Sequence, residues 1–98
     1  MKHFLTEYDF DQNEIIDVFE KAFEFKSDRR NRPTSELRGQ NWGMLFYKNS
    51  TRTRVSFEVG IRELGGNPLV MDQASTQIGR GESASDTIRV LSRYLDGL

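Results

Sequence analysis

Ninety-eight residues carrying 14 Lys and Arg against 15 Asp and Glu, a net charge of -1, leave room for one small domain and supply no global field for polyanions. Apolar residues at 36% and charged residues at 30% fit an ordinary folded segment, neither disordered nor nucleic-acid-coating. The absence of cysteine excludes disulfides, zinc–thiolate sites and a cysteine nucleophile.

The N-terminal stretch MKHFLTEYDFDQNE has no apolar run, and nowhere do about 18 apolar residues follow one another, so neither a signal peptide nor a membrane span is expected and the cytoplasm is the default. Asp11 followed by Glu14 reads as a capping box. Ile15, Ile16, Phe19, Ala22 and Phe23 then recur at helical spacing, which predicts a first helix from about Gln12 to Asp28. The polar stretch KSDRRNRPTSELRGQ, with Pro33 and Gly39, predicts a surface connection.

WGMLFY, Trp42 to Tyr47, has the length and composition of a buried parallel strand. From Thr53 onward, Phe57, Gly60, Ile61 and Leu64 share a helical stripe with Val55 and Val59 beside it, and Gly65-Gly66 provide the stop. NPLVMD, Asn67 to Asp72, predicts a second strand and so a β-α-β unit. Gln73 to Ser83 reads as a mobile loop at the carboxyl end of that strand. Ser83 and Asp86 offer a second capping pair, and Ala84, Ile88, Leu91 and Leu95 line a final helix. No third strand is read in YLDGL, so the fold class is α/β, a partial parallel sheet truncated after the third helix. The helix faces around Phe19, Phe23, Leu91 and Leu95 are expected to lack partners and to be adhesive.

Chemistry concentrates in Asn49-Ser50-Thr51-Arg52-Thr53, between the first strand and the next helix. In an open parallel sheet, ligands bind beyond the carboxyl ends of the strands, and a helix N-terminus there favours an anion. Ser50, Thr51 and Thr53 bring hydroxyls, and Arg52 brings a guanidinium able to grip a phosphate or carboxylate with two parallel hydrogen bonds. Two readings stand side by side: a phosphate site, or a simple N-cap with a solvated arginine. Arg54, two residues from Arg52, lies on a different helical face and suits a structural ion pair. The spacing is neither G-x-x-x-x-G-K-[ST] nor G-x-G-x-x-G, which argues against ATP and NAD. The only histidine, His3, sits at an exposed terminus and is not read as catalytic.

STRTRVSFE at Ser50 to Glu58, then ELGG, TQIGRGES and DTIRVLSRYLDG, resembles the N-terminal, carbamoyl-phosphate-binding domain of the transcarbamoylases, the ornithine carbamoyltransferases in particular. The resemblance covers nearly all of residues 1–98 as the N-terminal part of that domain, with the second, amino-acid-binding domain absent. It implies carbamoyl transfer from carbamoyl phosphate to the δ-amine of ornithine, giving citrulline and phosphate, as in arginine biosynthesis. Ser50, Thr51, Arg52, Thr53 and Gln77 would bind carbamoyl phosphate, with Arg52 and Thr53 close to the reacting carbamoyl group. Gln77 matches a loop residue that reaches a neighbouring subunit of a trimer; the plain alternative is an exposed loop glutamine. Glu82 is expected to form an ion pair that anchors the loop or bridges subunits, with Arg54 or Arg52 as partner.

No metal or other cofactor is implied, and neither nucleic acid nor membrane is expected as a partner. The family's carbonyl-polarising histidine and its second-substrate site match no residues of this sequence, so the 98-residue chain alone is expected to be inactive. The alternatives are another transcarbamoylase, acting on putrescine or aspartate, and a non-catalytic fragment with weak anion binding or self-association.

Overall fold

The computed structural model describes residues 2–31, 35–48, 50–72, 74 and 81–98. They fall into two compact units, Met1–Pro33 and Thr34–Leu98.

In the first unit the expected capping box starts the first helix. Asp11 Oδ1 accepts from the Glu14 amide at 2.9 Å, and Glu14 Oε2 accepts from the Asp11 amide at 2.9 Å, so two donors with no partner inside the helix are satisfied reciprocally. Helix α1 then runs Gln12–Ser27. A short 3₁₀ turn, Glu7–Asp9, precedes it. Thr6 caps the turn, and the Asp9 carboxylate accepts from the Thr6 amide at 2.8 Å and from the Leu5 amide. These amide bonds, Thr6 first and Leu5 second, hold the Asp9 carboxyl below its usual range. Lys2 donates to Glu14 and lies 4.5 Å from the centre of the Phe10 ring, which itself meets Phe4 at 5.0 Å. Glu14 is held low by Lys2 first and then by the Asp11 amide. No residue of α1 is buried, and Phe19 and Phe23 are exposed, as expected of a helix face without a partner.

The second unit contains the β-α-β element. Strand β1 is Asn41–Phe46, one residue earlier at each end than the apolar run suggested, and Tyr47 lies exposed beyond it. Helix α2 is Thr51–Glu63, and it begins two residues before the expected start because the Arg54 amide already bonds the Ser50 carbonyl at 2.9 Å. It ends as expected at the glycine pair. Gly65, at φ 85°, allows its own amide to reach the Arg62 carbonyl and the Gly66 amide to reach that of Ile61, a Schellman closure. Strand β2, Asn67–Asp72, pairs parallel with β1 from Asn41↔Asn67 to Phe46↔Asp72. Among the described residues, the buried apolar side chains are Met44 of β1 and Ile61 of α2. Around them Trp42, Phe57, Leu64 and Leu98 wall an apolar cleft of about 510 Å³.

Helix α3, Ala84–Leu91, starts at Ser83, whose Oγ accepts from the Asp86 amide at 3.1 Å. It is shorter than the apolar spacing implied. Past Leu91 the Arg93 and Tyr94 amides turn to carbonyls three residues back, so the last turn tightens and ends.

As expected, the tail adds no third strand to the two-stranded sheet, but it docks through an isolated bridge. Gly97 bridges Trp42 in parallel on the edge of β1 opposite β2. The Gly43 amide donates to the Gly97 carbonyl, the Asp96 amide to the Asn41 carbonyl and the Asn41 amide to Asp96 Oδ2, all within 2.9 Å. β1 is therefore flanked on both sides. A further expectation is corrected: Leu91 and Leu95 are both half-buried, and the end of Leu95 rests where a side chain on Gly43 would project.

Candidate functional site

The parallel register brings the carboxyl ends of both strands side by side at Phe46 and Asp72, and the chain passes from there into α2. Just beyond lies a cleft of about 390 Å³, floored by Phe46, Val70 and Met71. Its polar wall is Lys48, Ser50, Thr51 and Arg54, with Asp72 on the opposite strand. This is the placement expected for a ligand site on an open parallel sheet.

The simple N-cap reading of the hydroxyl cluster is not what forms. Ser50 is the N-cap residue of α2, but its side chain caps no backbone amide; its Oγ donates instead to Thr53 Oγ1 at 2.8 Å. With Arg54 the first amide bonded back into the turn, the leading amides of α2 carry no cap from Ser50, so the positive end of the helix stays open to an anion. Ser56 Oγ donates to the Thr53 carbonyl, which ties down the first turn from within.

Of the residues singled out in the sequence, Ser50 and Thr51 line the cleft, and Thr53 joins them through the Ser50 hydroxyl. Arg52 is exposed, is not part of the cleft wall, and has no ion-pair partner among the described residues. Gln77 lies outside the described residues. Arg54 forms the expected ion pair, with Glu58 at 3.1 Å, and yet it also lines the cleft. Thr51 and Arg54 are three apart and so share the helical face turned to the cleft, whereas Arg52 points elsewhere. Lys48 was not singled out in the sequence, although its place between the strand end and the hydroxyl cluster was a signal for it. Within the chain, Glu82 accepts from Thr87 Oγ1 at 3.0 Å, and the Arg54 partner is Glu58, so the expected Glu82–Arg54 pair does not form here.

Together these groups can hold a small dianion. Two cations, two hydroxyls and a helix N-terminus converge over an apolar floor, and the one carboxylate, Asp72, stands across from them.

Comparison with known proteins places residues 2–98 in the family model described as "Aspartate/ornithine carbamoyltransferase, carbamoyl-P binding domain". The ornithine carbamoyltransferase of Campylobacter fetus subsp. fetus is 50% identical over 97 residues, covering 98% of this chain and 31% of that protein. That of Nitrosococcus oceani is 48% identical over 97 residues, covering 98% of this chain and 32% of the relative. The chain thus spans about a third of the length of these relatives. Among solved structures, the anabolic ornithine carbamoyltransferase of Campylobacter jejuni subsp. jejuni matches with a TM-score of 0.85 at 43% identity over 98% of this chain and 31% of that one. The catalytic subunit of M. jannaschii aspartate transcarbamoylase matches with a TM-score of 0.83 at 37% identity, covering 98% of this chain and 32% of the other.

Proposed function

Since the chain belongs to the aspartate/ornithine carbamoyltransferase family, a family of transferases, as a carbamoyl-phosphate-binding domain, we propose that its cleft binds carbamoyl phosphate as one part of an ornithine carbamoyltransferase. The observation that carries this is the open N-terminus of α2, set with Ser50, Thr51, Lys48 and Arg54 around one cleft at the carboxyl ends of the strands. Ser50, Thr51 and Thr53 donate hydroxyls and amides to the phosphate. Arg52, exposed and unpaired among the described residues, closes on the ligand and stabilises charge at the carbamoyl oxygen. Gln77 reaches the carbamoyl phosphate of a neighbouring subunit in a trimer.

In the reaction, the neutral δ-amine of ornithine attacks the carbamoyl carbon. A C–N bond forms, the carbonyl oxygen takes up negative charge, and the bond from carbon to the bridging oxygen breaks to release phosphate, while the amine proton leaves to solvent or phosphate. Positioning and fixed positive charge supply the rate, and both are what this cleft offers to the phosphate end. The groups that hold ornithine belong to the second domain of such an enzyme. Ornithine is favoured as acceptor by the 50% identity to the Campylobacter fetus ornithine enzyme, against 37% for the M. jannaschii aspartate transcarbamoylase. Aspartate is the second reading, carried by that same structural match.

The test is a titration of the chain with carbamoyl phosphate followed by amide NMR, with Arg52→Ala as control. Saturable shifts at Ser50 to Arg54, weakened in the control, are expected. Shifts that do not saturate would refute the assignment of the cleft, and shifts that survive unchanged in Arg52→Ala would refute the role given to Arg52. In a full-length enzyme bearing this sequence, Arg52→Ala should remove about 2.7 to 4 kcal/mol of transition-state stabilisation, as for loss of an oxyanion donor.

A further inference from the structure

On α2, residues four apart lie one above another, and three charged side chains use this spacing in series. Glu58 Oε2 meets Arg54 Nη1 at 3.1 Å, and Glu58 Oε1 faces Arg62 Nη2 at 3.7 Å, so one carboxylate is held between guanidinium groups a turn before and a turn after it. Glu58 is also the most sheltered of the three, its side chain 27% exposed against 44% for Arg54 and 63% for Arg62. Arg54 alone of the three lines the anion cleft.

We propose that Glu58 is a positioning residue for the cleft: flanked on its other side by Arg62, it fixes the side chain of Arg54, which lines the cleft, in readiness for the anion. This rests on the reading of the cleft as a carbamoyl-phosphate site. Arg54 meets Glu58 through Nη1, and a guanidinium has five N–H donors, so most remain for a ligand. The competing effect of a carboxylate beside a cation is neutralisation, which would weaken anion binding. At a guanidinium this exposed, solvent and salt screen that effect. The entropy of ordering a long arginine on binding is not screened, and a guanidinium already fixed avoids it, an advantage of about 2- to 10-fold in affinity.

The experiment is the carbamoyl phosphate titration repeated on the 98-residue chain with Glu58→Ala, Glu58→Gln, Arg54→Ala and the Glu58→Ala/Arg54→Ala double variant. The expected result is a Kd raised about 2- to 10-fold by Glu58→Ala, partly recovered in Glu58→Gln, whose amide oxygen still accepts from Arg54. On the Arg54→Ala background, Glu58→Ala should add nothing. If Glu58→Ala loses its dispersed spectrum, the isosteric Glu58→Gln carries the comparison, and its Kd should lie above that of the parent chain. Unchanged or tighter binding in the Glu58 variants, or the same loss with and without Arg54, overturns the proposal. A parent chain that shows no saturable shift refutes the cleft assignment itself and this proposal with it, whereas a parent that binds beside a neutral Glu58 overturns the positioning role alone.

Discussion

Two glycine-to-alanine substitutions in the second unit should move stability in opposite directions. At Gly97 an added Cβ would lie 2.3 Å from Cζ3 and 2.4 Å from Cε3 of the Trp42 ring, well inside contact distance. The ring cannot retreat freely, since Trp42 Nε1 donates to Gln40 Oε1 at 2.9 Å and the Trp42 backbone is bridged to Gly97. Overpacking of this kind costs about 1 to 3 kcal/mol. At Gly60, inside α2, an added Cβ meets nothing within 4 Å, so Gly60→Ala adds only helix propensity and lowers the entropy of the unfolded chain, a gain of about 0.5 to 1 kcal/mol. Trp42 is the only tryptophan, so its fluorescence reports the region under strain during urea unfolding. With a slope of about 1 kcal/mol per molar urea, Gly97→Ala should lower the midpoint by about 1 M or more and Gly60→Ala should raise it by about 0.5 to 1 M. Coincident midpoints for the parent and Gly97→Ala would refute the packing described for the tail against β1, and a Gly60→Ala chain less stable than the parent would refute the open space described beside α2.

The capping box of α1 should be separable from the rest of the chain: Asp11→Ala removes the acceptor for the Glu14 amide and should destabilise the helix by about 1 kcal/mol, read as faster amide exchange from Glu14 to Phe19 and little change at Met44. The first unit should also weaken in acid. Asp9 and Glu14 are both depressed on folding, Asp9 by the Thr6 and Leu5 amides and Glu14 by Lys2 and the Asp11 amide. Their contribution is therefore complete above the ordinary values of 3.8 and 4.5 and is lost as the pH falls below these through the lower folded values. Carboxyl NMR titrations of these two residues should give midpoints below 3.8 and 4.5; midpoints at the ordinary values would show that the hydrogen bonds do not persist in solution.

Local signals carried far in this chain because they need no distant partner. Asp11 with Glu14, Ser83 before Asp86, and the glycine pair after Leu64 act through hydrogen bonds spanning a few residues, and each forms where the sequence places it. The order strand, helix, strand and the parallel pairing follow from the lengths of the apolar runs. The hydroxyl and arginine cluster at the strand-to-helix junction was legible for the same reason, as was the ion-pair role of Arg54.

Tertiary structure decided what depends on facing and on long-range docking. The tail from Asp96 to Leu98 carries no strand pattern of its own. It becomes extended only because the free edge of β1 presents the Asn41 carbonyl and Gly43 amide to it, and that contact in turn half-buries Leu95. Likewise, the sequence assigned Arg52 to the anion and Arg54 to an ion pair, but could not say which of them lines the cleft. The 100° step between helical residues settles that only once the start of α2 at Thr51 and its rotation against the sheet are known. Residue types determined the chemistry available to this protein, and the packing of α2 on the two strands determined which of those residues share the cleft.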